Sequence, residues 1–272
     1  MQAKNTYGIV TSNPELVQQA NDLSVIMYEI KDVLGVHRTP IPGTVSMVSC
    51  FSDNQWIKEH PDFVAVSKDG MKATRKEKYF DWDCLCPSRD EWKEKLLRIV
   101  KEADRQGEVR LDVVGFPREG FCWCTICQEK WKQSRLEDWE AWRASVITDF
   151  VRSCREATKN RLYMTLYPDP LKVHHYHRFG VDIDAVSKYV DCFVIPVYDL
   201  HYSVTYWLET LAWGFRDMLK KPFLIELYAC DLDPHKLAKA TQVARHYADG
   251  VLFAYPRNAE YVQNVLSILK KS

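Results

Sequence analysis

The sequence predicts one α/β domain spanning residues 1–272 and folded as a (β/α)8 TIM barrel, and three observations carry that expectation. Eight short apolar, β-rich runs recur along the chain, at 7–11, 24–30, 45–51, 109–116, 162–167, 192–198, 223–228 and 251–255. Their near-continuous hydrophobicity suits strands buried on both faces, as in a parallel sheet covered by helices. Most are followed by a helical pattern, and eight such alternations match a closed barrel. The length, 272 residues with 46% hydrophobic content, suits a single core of the size such barrels use.

Taken in chain order, the run at 24–30 is the ambiguous element. It reads equally as a helix end, in which case the barrel is irregular in its N-terminal strands. Residues 52–87 are too many for an ordinary loop and are expected to build part of the catalytic face. Ser88, with Glu91 three residues on, offers a capping box, and Trp92, Leu96, Ile99, Val100 and Ala103 then form one apolar stripe. A second helix starts near Asp138, with Trp139, Trp142, Val146, Phe150 and Cys154 on one face. Further helices are expected over 204–219, with Pro222 just beyond, over 234–247, with Pro234 at its start, and over 259–270. No composition shift, low-complexity linker or internal repeat divides the chain.

Charge narrows the partners. Lys plus Arg and Asp plus Glu are equal at 37 each, so no electrostatic footprint for a nucleic acid or an anionic membrane is present. No stretch of about 18 apolar residues predicts a membrane span. The opening MQAKNTYGIV does not read as a secretory signal, and nine cysteines, an odd number, argue for thiols or metal ligands over a disulfide framework. The expected compartment is the cytoplasm. Nine Trp and fourteen Tyr suit both a core and a sugar-binding cleft.

In barrels of this kind the chemistry sits at the C-terminal ends of the strands. Asp112 interrupts the fourth apolar run, Asp199 follows the sixth, Glu226 lies inside the seventh, and Glu29 takes a similar place in the doubtful second. A carboxylate buried in a strand carries a desolvation cost, so it needs a partner or a task. Glycoside hydrolysis needs two carboxyl groups, and Asp112 with Glu226 or Asp199 could supply them from strands converging on one mouth. Arg110, two residues before Asp112 and so on the same strand face, is expected to hold Asp112 ionised. Tyr198, His201, Tyr228 and Trp123 are candidate substrate contacts. The competing reading is structural: such carboxylates are often bonded to Arg or to backbone amides.

After the fourth run, Cys122, Cys124 and Cys127 stand at C-x-C-x-x-C spacing, which can wrap one soft tetrahedral metal, normally zinc. A fourth ligand, Cys86 or Cys84, would come from the long preceding connection, and a closed thiolate shell would be structural. Otherwise these are reduced thiols packed in a loop. His174, His175 and His177 are expected as solvated loop residues, with a metal-dependent hydrolase built on them as a third possibility.

A family resemblance then emerges. His60-Pro61-Asp62-Phe63, Lys68-Asp69-Gly70, Cys86-Pro87-Ser88, Arg110-Leu111-Asp112 and Phe116-Pro117 occur in an order that resembles the core of a group of glycoside hydrolase-like TIM barrels. The Cys loop resembles the zinc loop of family 42 β-galactosidases. The likeness covers roughly residues 45–160. Family 42 enzymes carry Asn-Glu as acid/base at strand four, where this chain has Leu111-Asp112. Arg-x-Asp at that strand looks more like α-amylase-type barrels, in which that Asp is the nucleophile. The resemblance implies a barrel that hydrolyses glycosides, with a small carbohydrate or glycoside as ligand and Asp112, Glu226 and Asp199 as catalytic candidates. The alternative is a non-catalytic barrel that binds a sugar or a protein, its zinc site architectural.

Overall fold

The computed structural model describes residues 6–20 and 22–271. In chain order it contains β1 (Thr6–Thr11), α1 (Pro14–Gln19), β2 (Val25–Lys31), β3 (Val45–Ser49), α2 (Asn54–Glu59), a 3-10 turn at Pro61–Phe63, α3 (Asp90–Asp104) and β4 (Glu108–Asp112). Then follow α4 (Thr125–Ser134), α5 (Trp139–Ala157), β5 (Leu162–Thr165), α6 (Lys172–Phe179), α7 (Ile183–Val186) and β6 (Cys192–Val197). The chain ends with α8 (Tyr206–Met218), β7 (Phe223–Tyr228), α9 (Pro234–Tyr247), β8 (Gly250–Ala254) and α10 (Ala259–Lys271). All eight strands are parallel, each pairs with its sequence neighbours, and β8 closes on β1. This is the (β/α)8 TIM barrel that the alternating pattern predicts.

The doubtful run is a true strand. Gly8 pairs with Val25 on one side of β2, and Met27 pairs with Val45 on the other. The irregularity lies just beyond it. The register slips between Glu29 and Lys31, and residues 32–44 carry no helix. Pro40 and Pro42, with glycines at 35 and 43, explain why: proline removes the amide donor and disfavours helix for the residue before it.

Strand periodicity divides the apolar residues into two cores. Val10, Met27, Val45, Met47, Tyr163, Cys192, Val194, Leu224, Leu252 and Ala254 form one cluster, at alternate positions along their strands, and fill the barrel. The larger cluster lies between the strands and the helical ring, and includes Trp92, Leu96, Val100 and Ala103 from α3 with Trp142, Phe150 and Cys154 from α5. Continuing the inward-facing positions toward the strand C-termini reaches Glu29, Ser49, Arg110 and Asp112, Thr165 and Glu226. Hydrophobic layers thus end in a polar floor.

Two local expectations are corrected. Ser88 does not cap α3: the helix begins at Asp90, Arg89 holds the cap position, and no side chain caps it. Ser88 is fully buried and its hydroxyl accepts from the Cys127 thiol at 3.3 Å, so the Cys cluster claims the residue. Asp90 and Glu91 in the first turn supply the negative charge that a helix N-terminus favours. The second correction concerns His174, His175 and His177, which lie on α6 and not in a loop. His174 and His177 are exposed, but His175 is buried with its Nε2 at 2.7 Å from the Asp169 carbonyl.

Candidate active site and thiol cluster

Strand four stops at Asp112 because Val113 turns out of the sheet with φ of 50°, a conformation that a β-branched residue seldom adopts. Beyond that point the strand ends open into a cavity of about 740 Å³, a figure that includes the open space at its mouth. Glu29, Arg110, Asp112, Tyr198 and Glu226 line it, and Trp82 contributes a wall. Trp82 comes from the 52–87 excursion, so that long connection does reach the site.

Arg110 organises the floor. It is almost fully buried, its Nη1 lies 2.5 Å from Glu226 Oε2, and its Nη2 lies 3.8 Å from Asp112 Oδ1. Its Nε donates to Thr165 Oγ1 at 2.9 Å. Burial works against the guanidinium charge, yet Glu226 and then Asp112 more than compensate and raise its pKa above the ordinary value. Arg110 does pair with Asp112, as the two-residue spacing predicts, but its tighter partner is Glu226, which faces it from β7. The other Glu226 oxygen, Oε1, accepts a short hydrogen bond from the Tyr198 hydroxyl. The Tyr198 ring stands 46% exposed at the rim while its hydroxyl reaches inward.

Asp112 is the more open carboxylate, with 18% of its side chain exposed against 1% for Glu226. Ser49 donates to its Oδ2 at 3.3 Å. Glu29 approaches from β2, where it pairs in register with Met47, itself paired with Arg110. Burial first, then the charges of Asp112 and Asp32, push its pKa up to about 7.

The remaining candidates are placed elsewhere. Asp199 is not among the cavity-lining residues; its carboxylate accepts from the His201 amide at 2.8 Å, closing a local turn, and His201 is exposed. Tyr228 packs its ring 5.5 Å from that of Tyr198, one step back from the cavity. Trp123 packs against Trp131 and Trp139 with its ring tilted to both, at 5.9 and 4.7 Å between centroids. Sequence reasoning did not single out Ser49, Trp82, Thr165 and Tyr255 as cavity-lining residues. Strand parity points to Ser49 and Thr165, while no local signal marks Trp82.

The thiols of Cys86, Cys122, Cys124 and Cys127 lie within 4.8 Å of one another. Cys86 Sγ is 3.3 Å from Cys127 Sγ and 3.7 Å from Cys124 Sγ. Four sulfurs placed tetrahedrally at about 2.3 Å from a zinc ion would be about 3.8 Å apart, so this donor set fits such a metal. Cys84 is excluded from the cluster, and its thiol instead accepts from the Ser52 hydroxyl at 3.7 Å. Among the described residues this is the one group of His, Cys, Asp and Glu arranged for a metal ion, and His174, His175 and His177 are not part of it. The cluster joins the 52–87 excursion to the loop after β4. Val66 donates its amide to Cys122 Sγ at 3.3 Å, and Trp123 donates its amide to the Val66 carbonyl at 2.6 Å.

Residues 2–264 match the sequence profile of a family described as "Putative glycosyl hydrolase domain". The chain belongs to that family. One solved structure agrees at the level of fold. The α-L-fucosidase isoenzyme 2 of Paenibacillus thiaminolyticus aligns with a TM-score of 0.66 at 11% identity, over 98% of this chain and 49% of the fucosidase. This chain thus spans about half of that protein's length. A Bacillus subtilis mannanase aligns with a TM-score of 0.48 at 12% identity, over 97% of this chain and 83% of its own. No curated protein matches the sequence. No helix among the described residues is long and apolar enough to cross a membrane.

Proposed function

We propose that the chain hydrolyses glycosidic bonds of a small carbohydrate or glycoside, with Asp112 as the anion that attacks the anomeric carbon or activates water. The observation that carries this reading is the meeting of Asp112 and Glu226 about one guanidinium, Arg110, on the floor of a cavity at the strand C-termini. Glycoside cleavage passes through an oxocarbenium-like transition state, which a carboxylate beside the anomeric carbon stabilises. Asp112 is open enough to meet a sugar. Glu226, pinned by Arg110 and Tyr198, holds those two groups in place and supplies a fixed negative charge beneath the reacting centre. Aromatic walls from Trp82, Tyr167 and Tyr255 suit the apolar faces of a sugar ring.

In the same reading, Cys86, Cys122, Cys124 and Cys127 hold zinc as four thiolates. A closed thiolate shell leaves no open position for substrate, so the ion ties the two loops together and takes no part in bond cleavage.

The test is a panel of chromogenic glycosides run on the wild type and on Asp112→Asn. Turnover by the wild type with a loss of about 10²–10⁴-fold in kcat for the variant, its circular dichroism unchanged, supports the reading. Sugar binding without turnover by the wild type would replace it with a non-catalytic carbohydrate-binding barrel.

A further inference from the structure

Glycoside cleavage needs a proton for the departing oxygen as well as an anion at the anomeric carbon. Neither sequence-nominated partner of Asp112 is placed to give it. Both Glu226 oxygens are engaged, one against the Arg110 guanidinium and the other as acceptor of the Tyr198 hydroxyl, and its side chain is 1% exposed. Asp199 lies outside the cavity lining and is committed to the His201 amide.

Glu29 is different in each respect. It lines the cavity from β2, next in the sheet to β3, which carries Ser49 against Asp112. Among the described residues its carboxyl has no ion pair and no hydrogen-bond partner; Arg38 donates to the Glu29 backbone carbonyl and pairs with Asp32. An unpartnered carboxyl in a cavity wall has its oxygens free for a ligand. The charged groups facing it are Asp112, Asp32, Arg38 and Arg110, and the Tyr255 hydroxyl faces it from beyond β8. Resting on the glycosidase reading above, we infer that Glu29 is the proton donor of this site, acting on the leaving-group oxygen opposite Asp112.

The step balances as follows. The bond between the anomeric carbon and the leaving oxygen breaks, its electron pair goes to that oxygen, and the oxygen takes the Glu29 proton. The anomeric carbon bonds either to Asp112, to be released later by water, or to a water that Asp112 deprotonates. The carboxylate left at Glu29 recovers its proton from water. Burial and the neighbouring negative charges raise the Glu29 pKa to about 7, so a substantial fraction carries the proton at neutral pH. A donor must be protonated to act, so kcat/KM falls as pH rises through that value.

The experiment compares 2,4-dinitrophenyl and methyl glycosides of whichever sugar the wild type turns over. Dinitrophenolate departs without protonation, whereas methoxide does not. Glu29→Gln is expected to lose about 10²–10⁴-fold in kcat/KM, which reads cleavage of the bond to the leaving oxygen alone, on the methyl glycoside and less than about tenfold on the dinitrophenyl glycoside. The fall in rate above about pH 7 is expected to vanish in the variant. Equal losses on the two substrates, or no loss on the methyl glycoside, would overturn the assignment of Glu29 and leave that of Asp112 standing. A wild type inert on the entire panel overturns the glycosidase reading and this one with it. Glu29→Asp keeps an acid and covers misfolding of the amide variant. It should keep the high-pH fall and lose rate on the methyl glycoside, and an unchanged rate there counts against the proposal.

Discussion

Arg110 shows how much one buried cation can decide. Its buried guanidinium meets two carboxylates in the cavity, and its desolvation is offset by an ion pair at 2.5 Å to Glu226 and a looser one at 3.8 Å to Asp112. Replacing Arg110 by Met would leave Glu226 buried without its counter-charge. Breaking such a pair from one side costs about 3–5 kcal/mol, because the stranded charge keeps its desolvation penalty. Urea denaturation of Arg110→Met should show that loss, and Arg110→Met combined with Glu226→Leu should recover part of it. The two-residue spacing made Asp112 the visible partner of Arg110 in the sequence. Glu226, more than a hundred residues away, becomes the closer one only when β4 and β7 face each other across a closed barrel.

At the scale of elements, the Cys cluster is a fastening between the 52–87 excursion, through Cys86, and the segment after β4 that runs into α4. One isolated β-bridge, Ser67 with Phe121, and the Trp123 amide on the Val66 carbonyl are backbone links between the two segments. Purified protein is expected to carry about one zinc per chain, measured by elemental analysis. Cys86→Ser should lose it and Cys84→Ser should keep it, since only Cys86 places its sulfur in the group. Removing the metal with a chelator should lower the melting temperature, because metal binding and loop folding are linked. A nearby device does similar work without metal. The buried Arg143 on α5 donates to the carbonyls of Arg118, His177 and Arg178 at 3.0, 2.7 and 2.9 Å, pinning the loop after β4 to the end of α6. The C-x-C-x-x-C spacing announced the first fastening, while nothing in the sequence around Arg143 announced the second, whose acceptors are backbone atoms brought close by packing.

For the whole molecule, closure of the sheet is the property on which the site depends. Gly8 on β1 lies so close to β2 that an added Cβ would meet the Val25 carbonyl oxygen at 2.3 Å, and the neighbour is backbone that cannot swing aside. Gly8→Ala is expected to destabilise the barrel by about 1–3 kcal/mol in chemical denaturation. Its far-UV circular dichroism should stay that of an α/β protein, since the strain is local to the β1–β2 seam.

Hydrophobic periodicity is local, so the strand count and the helices over 234–247 and 259–270 could be read from the chain alone. So could the three thiols of the Cys loop and the carboxylates at strand ends, because chemistry-bearing residues interrupt apolar runs visibly. Tertiary structure decided which of those groups meet. Facing strands pair Arg110 with Glu226, the turn at Asp199 takes that carboxylate away from the cavity, and burial beside Asp112 and Asp32 changes what Glu29 can do. Distance across a barrel and the loss of solvent are properties of the closed sheet, and no window of sequence contains them.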